Sequence, residues 1–250
     1  MTNNNIYFIA NWKMYGNTKD IEKTKPLIRL SKSKKYKKVK IVYCPPYTLL
    51  KDFFIKIKKT RISIGAQNCH QNSNSGPFTG SINAKLIKST GAKYIIIGHS
   101  ESRNEGDNDQ DINKKINAAL KENLKIIFCI GEKLKDKKKN NTFSVLKKQI
   151  RNGLKGIKKF DSIIIAYEPV WSIGTGLVPK NFELKKNINN IKKIINSLKK
   201  YNKMKVIYGG SVNPENINDL SKISEIDGFI IGGASTNPKK FIDIIKKSIN

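Results

Sequence analysis

Eight short apolar runs recur along the chain with helix-length segments between them. They are "IYFIA" from Ile6, "VKIVY" from Val39, "ISIGA" from Ile62, "YIIIG" from Tyr94, "KIIFCIG" from Lys125, "SIIIAY" from Ser162, "KVIYGG" from Lys205 and "DGFIIGG" from Asp227. Such runs have no polar side to offer water, so each predicts a strand buried on both faces. The intervening segments are amphipathic. In "DQDINKKINAALKEN", Asp109 to Asn123, the residues Ile112, Ile116, Ala119 and Leu120 share one helical face. In "KKNINNIKKIINSLKK", Lys185 to Lys200, Ile188, Ile191, Ile194, Ile195 and Leu198 do the same and leave the lysines to solvent. Strict alternation of strand and helix predicts a parallel sheet covered by helices. Eight such units in 250 residues fit a closed (β/α)8 barrel, whereas an open doubly wound sheet more often stops at five or six strands. No linker or shift in composition divides the chain, so residues 1–250 are expected to form a single barrel domain.

Composition narrows the function classes. No apolar run exceeds strand length and no charged-then-apolar leader opens the chain, which predicts a soluble, cytoplasmic protein with no membrane partner. Cys44, Cys69 and Cys129 are scattered and odd in number, without a C-x-x-C pair, as expected in a reducing compartment. With His70 and His99 the only histidines, a metal cluster has no spacing to stand on, and the expectation is a site with neither metal nor cofactor. The formal net charge of +30 invites a nucleic-acid reading. Yet only Arg29, Arg61, Arg103 and Arg151 are arginines, and arginine is the usual reader of bases. The lysines are spread over predicted outer helix faces, so the reading taken is a solvated surface with no specific nucleic-acid partner.

A barrel of this kind places its chemistry just after the C-terminal ends of its strands. Asn11 and Lys13 follow the first run, and His99, Ser100 and Glu101 follow the fourth. Glu168 follows the sixth, Gly209, Gly210 and Ser211 the seventh, and Gly232 and Gly233 the eighth. Singly, each has an ordinary explanation: a surface lysine, a backbone-bonded histidine, a turn glycine. Jointly, at successive strand ends, they point to one site. Glycine turns after the seventh and eighth runs, with helices starting there, make a phosphate cradle, and Gly174 and Gly176 close over the same anion. That selects a small phosphate monoester as substrate. Within "AYEPVWSIGTG", Ala166 to Gly176, proline excludes the helical region for Glu168 and holds it extended at the last strand position, while Trp171 anchors the loop. Glu168 is thus a candidate general base on a hinged lid, in a dry pocket that raises its basicity. Removing a proton next to a carbonyl leaves negative charge on oxygen, for which His99, Lys13 and Asn11 are candidate donors.

Taken in order, "ANWKM" (Ala10 to Met14), "GHSES" (Gly98 to Ser102), "AYEPVWSIGTG", "YGGSV" (Tyr208 to Val212) and "GGAS" (Gly232 to Ser235) resemble the triosephosphate isomerase family over nearly the whole chain. The resemblance implies interconversion of dihydroxyacetone phosphate and glyceraldehyde 3-phosphate through a cis-enediolate, without cofactor or metal. A glutamate base, a neutral histidine and a closing loop are long established for that family. Carried over by motif, Glu168 shuttles the proton, His99 is the electrophile, Lys13 and Asn11 bind substrate and stabilise the transition state, and Glu101 supports the site. Gly174, Ser211, Gly232 and Gly233 would hold the phosphate. The resemblance also implies a homodimer in which the loop "QNCHQNSNSGPFTG", Gln67 to Gly80, enters the other subunit with Thr79 near its active site.

Some positions depart from the family pattern. Ser81 stands where glutamate is usual and Ser102 where arginine is usual, read as the two ends of one lost interfacial ion pair. The second lid hinge, Leu177 to Pro179, lacks the usual lysine and carries a proline, which is expected to stiffen opening. Two rival readings are another phosphate-binding barrel, such as a sugar-phosphate epimerase or a Schiff-base aldolase, and a nucleic-acid-binding protein that has kept a barrel shell.

Overall fold

Parallel strands close into an eight-membered barrel in the computed structural model, which describes residues 5–199 and 204–249. They are β1 (Ile6–Asn11), β2 (Val39–Cys44), β3 (Ser63–Ala66), β4 (Tyr94–Ile97), β5 (Lys125–Ile130), β6 (Ile163–Tyr167), β7 (Lys205–Tyr208) and β8 (Gly228–Ile231). Each strand lies beside its neighbours in sequence, and β1 closes the ring on β8 with Tyr7 opposite Gly228 and Ala10 opposite Ile231. Every predicted run is therefore a strand. One detail differs: Glu168 stands one residue beyond β6 rather than on it. Its N–H still reaches Ile130 O at 2.8 Å, but Pro169 has no N–H with which to continue the ladder.

The two-residue period of the strands divides their side chains between two cores. One contains strand residues alone, among them Ile9, Val42, Ile96, Ile127, Ile164, Ile207 and Ile230, and fills the barrel interior. The alternate set, including Phe8, Ile41, Ile95, Phe128, Ile165 and Phe229, packs outward beneath the helices. The helix Asp109–Lys121 buries Ile112, Ile116, Ala119 and Leu120, and Asn108 caps its start by accepting from the N–H groups of Gln110 and Asp111. It stops short of Asn123, which takes a left-handed φ of 54°. The helix Asn181–Lys199 buries Ile188, Ile191, Ile194 and Ile195, with Leu198 half-buried; Lys200 lies outside the described residues. No helix among the described residues is long and apolar enough to cross a membrane.

Trp12 fastens the seam of the barrel. It is buried just past β1, packs edge-on against Tyr43 and Phe53, and donates its indole N–H to Ser235 O at 3.1 Å in the turn after β8. The aromatic cluster has one polar cost: the fully buried Tyr43 hydroxyl has no hydrogen-bond partner. An unsatisfied buried group costs about 1–3 kcal/mol, so Tyr43→Phe should raise stability by ~1 kcal/mol, or ~2–4 °C in Tm for a chain of this size. Thermal unfolding checks this, and a lower Tm would mean that the hydroxyl is bonded after all.

Candidate active site

A cavity of about 240 Å³ opens at the C-terminal ends of the strands. Asn11, Lys13, His99, Glu168, Gly174, Ser211, Gly232 and Gly233 all line it. Glu101 does not; its side chain is half exposed behind the cavity and acts at one remove, with Oε1 2.9 Å from Lys13 Nζ.

The backbone around Glu168 is set by close approach. A Cβ on Gly131, just past β5, would stand 1.8 Å from Glu168 O, and one on Gly209, just past β7, would stand 2.6 Å from Glu168 Cγ. Only glycine lets the neighbouring connections come this near. The carboxylate is thereby held almost wholly buried, with Oε2 facing His99 Nε2 at 3.7 Å and no hydrogen bond of its own. Burial pushes the Glu168 carboxyl above the usual carboxylate range; His99, the Cys129 thiol and Lys13 offset this only in part. Such a group binds a proton readily and has none of its lone pairs spent at Oε2.

Opposite it, His99 caps the short helix Ser100–Asn104, and its Nδ1 accepts from the N–H of Glu101 at 3.3 Å. An accepting Nδ1 leaves the proton on Nε2, so the imidazole presents an N–H to the cavity. Lys13 holds an unusual backbone, with φ of 55° in the left-handed region. Asn11 Oδ1 accepts from its N–H at 3.2 Å, and Gln67 Nε2 donates to its carbonyl at 2.8 Å. Strain of this kind persists only where the surroundings over-determine it. The result aims the ammonium across the cavity towards Gly232, where a Cβ would meet Lys13 Cε at 3.4 Å.

The glycine side differs in one respect from the sequence expectation. After β8 a single 3-10 turn, Gly233–Thr236, does begin at the glycines, but after β7 the next helix starts only at Ile217. The glycines there belong to a loop without a helix end behind them. Ser211 N–H is directed instead to Ser172 Oγ at 3.3 Å, which links this loop to the lid.

The lid is pinned at its base. Trp171 lies in a 3-10 turn, Val170–Ser172, and donates its indole N–H to Glu132 Oε1 at 2.9 Å. Lys137 Nζ sits 3.7 Å from the centre of the Trp171 ring and pairs with Glu183 at 2.8 Å. Glu132 is fully buried, and burial raises its carboxyl although Trp171 and Tyr167 both donate to it. Ser172 Oγ also meets Tyr208 OH at 3.1 Å. Thus Glu132, Lys137, Tyr208 and Gln67 belong to the site's support although sequence reasoning singled out none of them. Glu132, in "CIGEK" directly after the fifth run, had the same strand-end signal as Glu168. The other three act through distant partners and left no local mark.

Among the described residues no group of three or more His, Cys, Asp or Glu side chains is placed to hold a metal ion. The family model described as triosephosphate isomerase matches residues 6–248. The triosephosphate isomerase of Dictyoglomus thermophilum is 42% identical over 244 residues, covering 95% of this chain and 97% of that relative. That of Thermodesulfovibrio yellowstonii is 39% identical over 246 residues, covering 96% and 98%. The crystal structure of triosephosphate isomerase from Bartonella henselae superposes with a TM-score of 0.89 at 31% identity, covering 98% of this chain and 99% of that one.

The buried carboxylate makes a stability prediction. An acid whose folded pKa is raised adds stability below its unfolded pKa, and this is lost as pH rises through the folded value. Glu168→Gln removes the charge but keeps the shape. It should be more stable than the parent at pH 7 by about 1–3 kcal/mol, the gap closing as pH falls to ordinary carboxylate values. Parallel thermal melts across that range test this; a pH-independent gap would place the cause elsewhere.

Proposed function

The chain belongs to the triosephosphate isomerase family, and on that footing we propose that it interconverts dihydroxyacetone phosphate and D-glyceraldehyde 3-phosphate, an intramolecular oxidoreduction that serves glycolysis and gluconeogenesis. The phosphate binds among the N–H groups of Gly174, Gly232 and Gly233, joined by that of Ser211 when it exchanges Ser172 Oγ for the anion, and the Lys13 ammonium balances its charge. The carbonyl oxygen points at His99 Nε2–H and Lys13, and Asn11 completes the donor set. Glu168 takes a proton from the carbon beside the carbonyl. The electron pair moves to oxygen as an enediolate, which these donors stabilise in a water-poor cavity. The carboxylic acid then returns the proton to the neighbouring carbon while the hydroxyl and carbonyl oxygens exchange one proton through His99. Glu101 is a positioning residue that holds Lys13.

One observation carries this reading: the buried, unbonded Oε2 of Glu168 lies 3.7 Å from the Nε2–H of His99, and both line one cavity. A base and an electrophile side by side in the wall of one small cavity fit proton transfer between adjacent carbons, without metal or cofactor.

The working unit is a cytoplasmic homodimer, each chain one barrel domain. Between β3 and the helix Ala84–Ser89 the segment 67–83 forms no regular element, with Thr79 exposed. Around it Met14, Tyr15, Phe78 and Leu86 expose apolar surface that supports a partner subunit covering this face. The Lys13 connection, which carries Met14 and Tyr15, would then be braced from the partner side.

Conversion of glyceraldehyde 3-phosphate by the parent and by Glu168→Gln, with EDTA present, tests the function. The parent should be fast and indifferent to EDTA, and the variant slower by about 10²–10⁴-fold or more. Equal rates would remove Glu168 as base, and an inactive parent would overturn the reaction itself. Light scattering on the active protein should return twice the chain mass.

A further inference from the structure

Charge is not shared evenly between the two ends of the barrel. The connections that run from a strand to its covering helix, on the catalytic face and with their short helices included, carry 10 basic and 9 acidic side chains. Among the described residues, the connections that lead into strands, on the opposite face, carry 12 basic and 4 acidic ones. The excess is concentrated in the segments "SKKYKK" (33–38) before β2, "KKTR" (58–61) before β3 and "LKGIKK" (154–159) before β6. Because the closed barrel keeps its strands in sequence order, the connections before β2 to β6 form one continuous arc. Contacts between them confirm the adjacency. Arg61 donates to the carbonyls of Ser31 and Ser33, Lys125 N–H to Lys93 O at 2.9 Å, and Lys159 Nζ to Asn123 Oδ1 at 3.4 Å.

The lysines of this arc are exposed, and among the described residues no carboxylate forms an ion pair with Lys34, Lys37, Lys38, Lys58, Lys59 or Lys158. Further round the ring the pattern changes: before β8, Asp227 and Glu225 engage Lys205, Lys192 and Lys185. A patch of unneutralised like charges opposes folding by self-repulsion, and a multivalent anion laid across it removes that cost.

We propose that this N-terminal face of the barrel is a binding surface for the phosphate backbone of duplex nucleic acid, engaged without reading its sequence and independently of the catalytic face. Lysines supply point charges suited to phosphates, while the arc's one arginine, Arg61, spends its donors on backbone carbonyls. Among the described residues, the large exposed apolar side chains, such as Met14, Phe78, Leu134 and Phe182, all lie outside these connections. Tyr36 is half-buried against the core and Phe160 is buried. The arc therefore has no platform on which unpaired bases would stack, and no wedge for a lipid surface. A duplex, presenting two rows of phosphates and hidden bases, matches it.

Fluorescence anisotropy with a short fluorescein-labelled RNA duplex tests the proposal on the full chain. The parent should bind with a micromolar Kd at low salt and lose about a hundredfold between ~50 and ~200 mM salt, as expected for some four phosphate contacts. A variant with Lys34, Lys37, Lys38, Lys58, Lys59 and Lys158 changed to Gln should bind at least tenfold more weakly. A charge-matched control with Lys135, Lys138, Lys139, Lys148, Lys239 and Lys240 changed to Gln should stay within about threefold of the parent. Equal losses in the two variants would make the binding a matter of net charge and overturn the site. No binding by the parent, or binding to phosphatidylserine vesicles with none to duplex, would overturn the ligand. On the unaltered protein, bound duplex should shield Lys34, Lys37, Lys38, Lys58 and Lys59 from acetylation while Lys135 and Lys138 remain reactive; uniform shielding would also overturn the site. Isomerase turnover, followed in each variant, reports the fold and leaves the two readings separable.

Discussion

Closure of β1 onto β8 is the constraint from which the rest of the molecule follows. A ring of eight parallel strands has no edge, so every strand backbone is paired and both of its faces must be apolar. Its interior is filled mainly by isoleucines, with Val42, Cys44, Cys129, Ala166 and Tyr94. Its filled interior leaves no room for a ligand, and the cavity that gathers Glu168, His99 and Lys13 lies at the rim where the strands end. Trp12 fixes that seam by joining the end of β1 to the turn after β8, and the connection it anchors also carries Lys13. The fold's closing contact and the site's cation are thus adjacent in the chain.

At the rim, neighbouring strands work on one another's residues. Glu168 follows β6, yet its position depends on the absence of side chains at Gly131 after β5 and Gly209 after β7. Burial raises its carboxyl, and its Oε2 lies 3.7 Å from Nε2 of His99 after β4. The lid shows the same cooperation. Trp171 follows β6 but is held by Glu132 and Lys137 after β5, while Ser172 reaches Tyr208 at the end of β7. Rigid strands bring these groups within ångströms, and the connections supply the chemistry, which is why the same scaffold serves many reactions.

The charge of the chain has a structure of its own. A uniform excess of lysine would burden both ends of the barrel alike, yet the catalytic rim is nearly balanced and the opposite end is not. Balance at the rim suits a site whose substrate is a small dianion and whose base must stay buried and selective. The opposite end is free of that demand, and its connections are where a second, larger anion meets the least competition.

The fold was written in the sequence because its information is local. A two-sided apolar run such as "YIIIG" can only be an internal strand, and a face such as Ile188, Ile191, Ile195 can only be a covered helix. Eight repeats then leave little but a barrel. The principal side chains of the site were legible for the same reason: the glycine pairs end such runs, and Glu168, His99 and Lys13 stand within three residues past one. Tertiary structure alone decided what lies across the ring. It placed Gln67 beneath Lys13, Glu132 beneath Trp171 and the lysines of separate connections in one arc, and it left Glu101 outside the cavity that its neighbour His99 lines. Those relations depend on which strand ends become neighbours at the rim and how far each connection reaches. Such distances are set by closure of the whole ring, and no single stretch of sequence contains them.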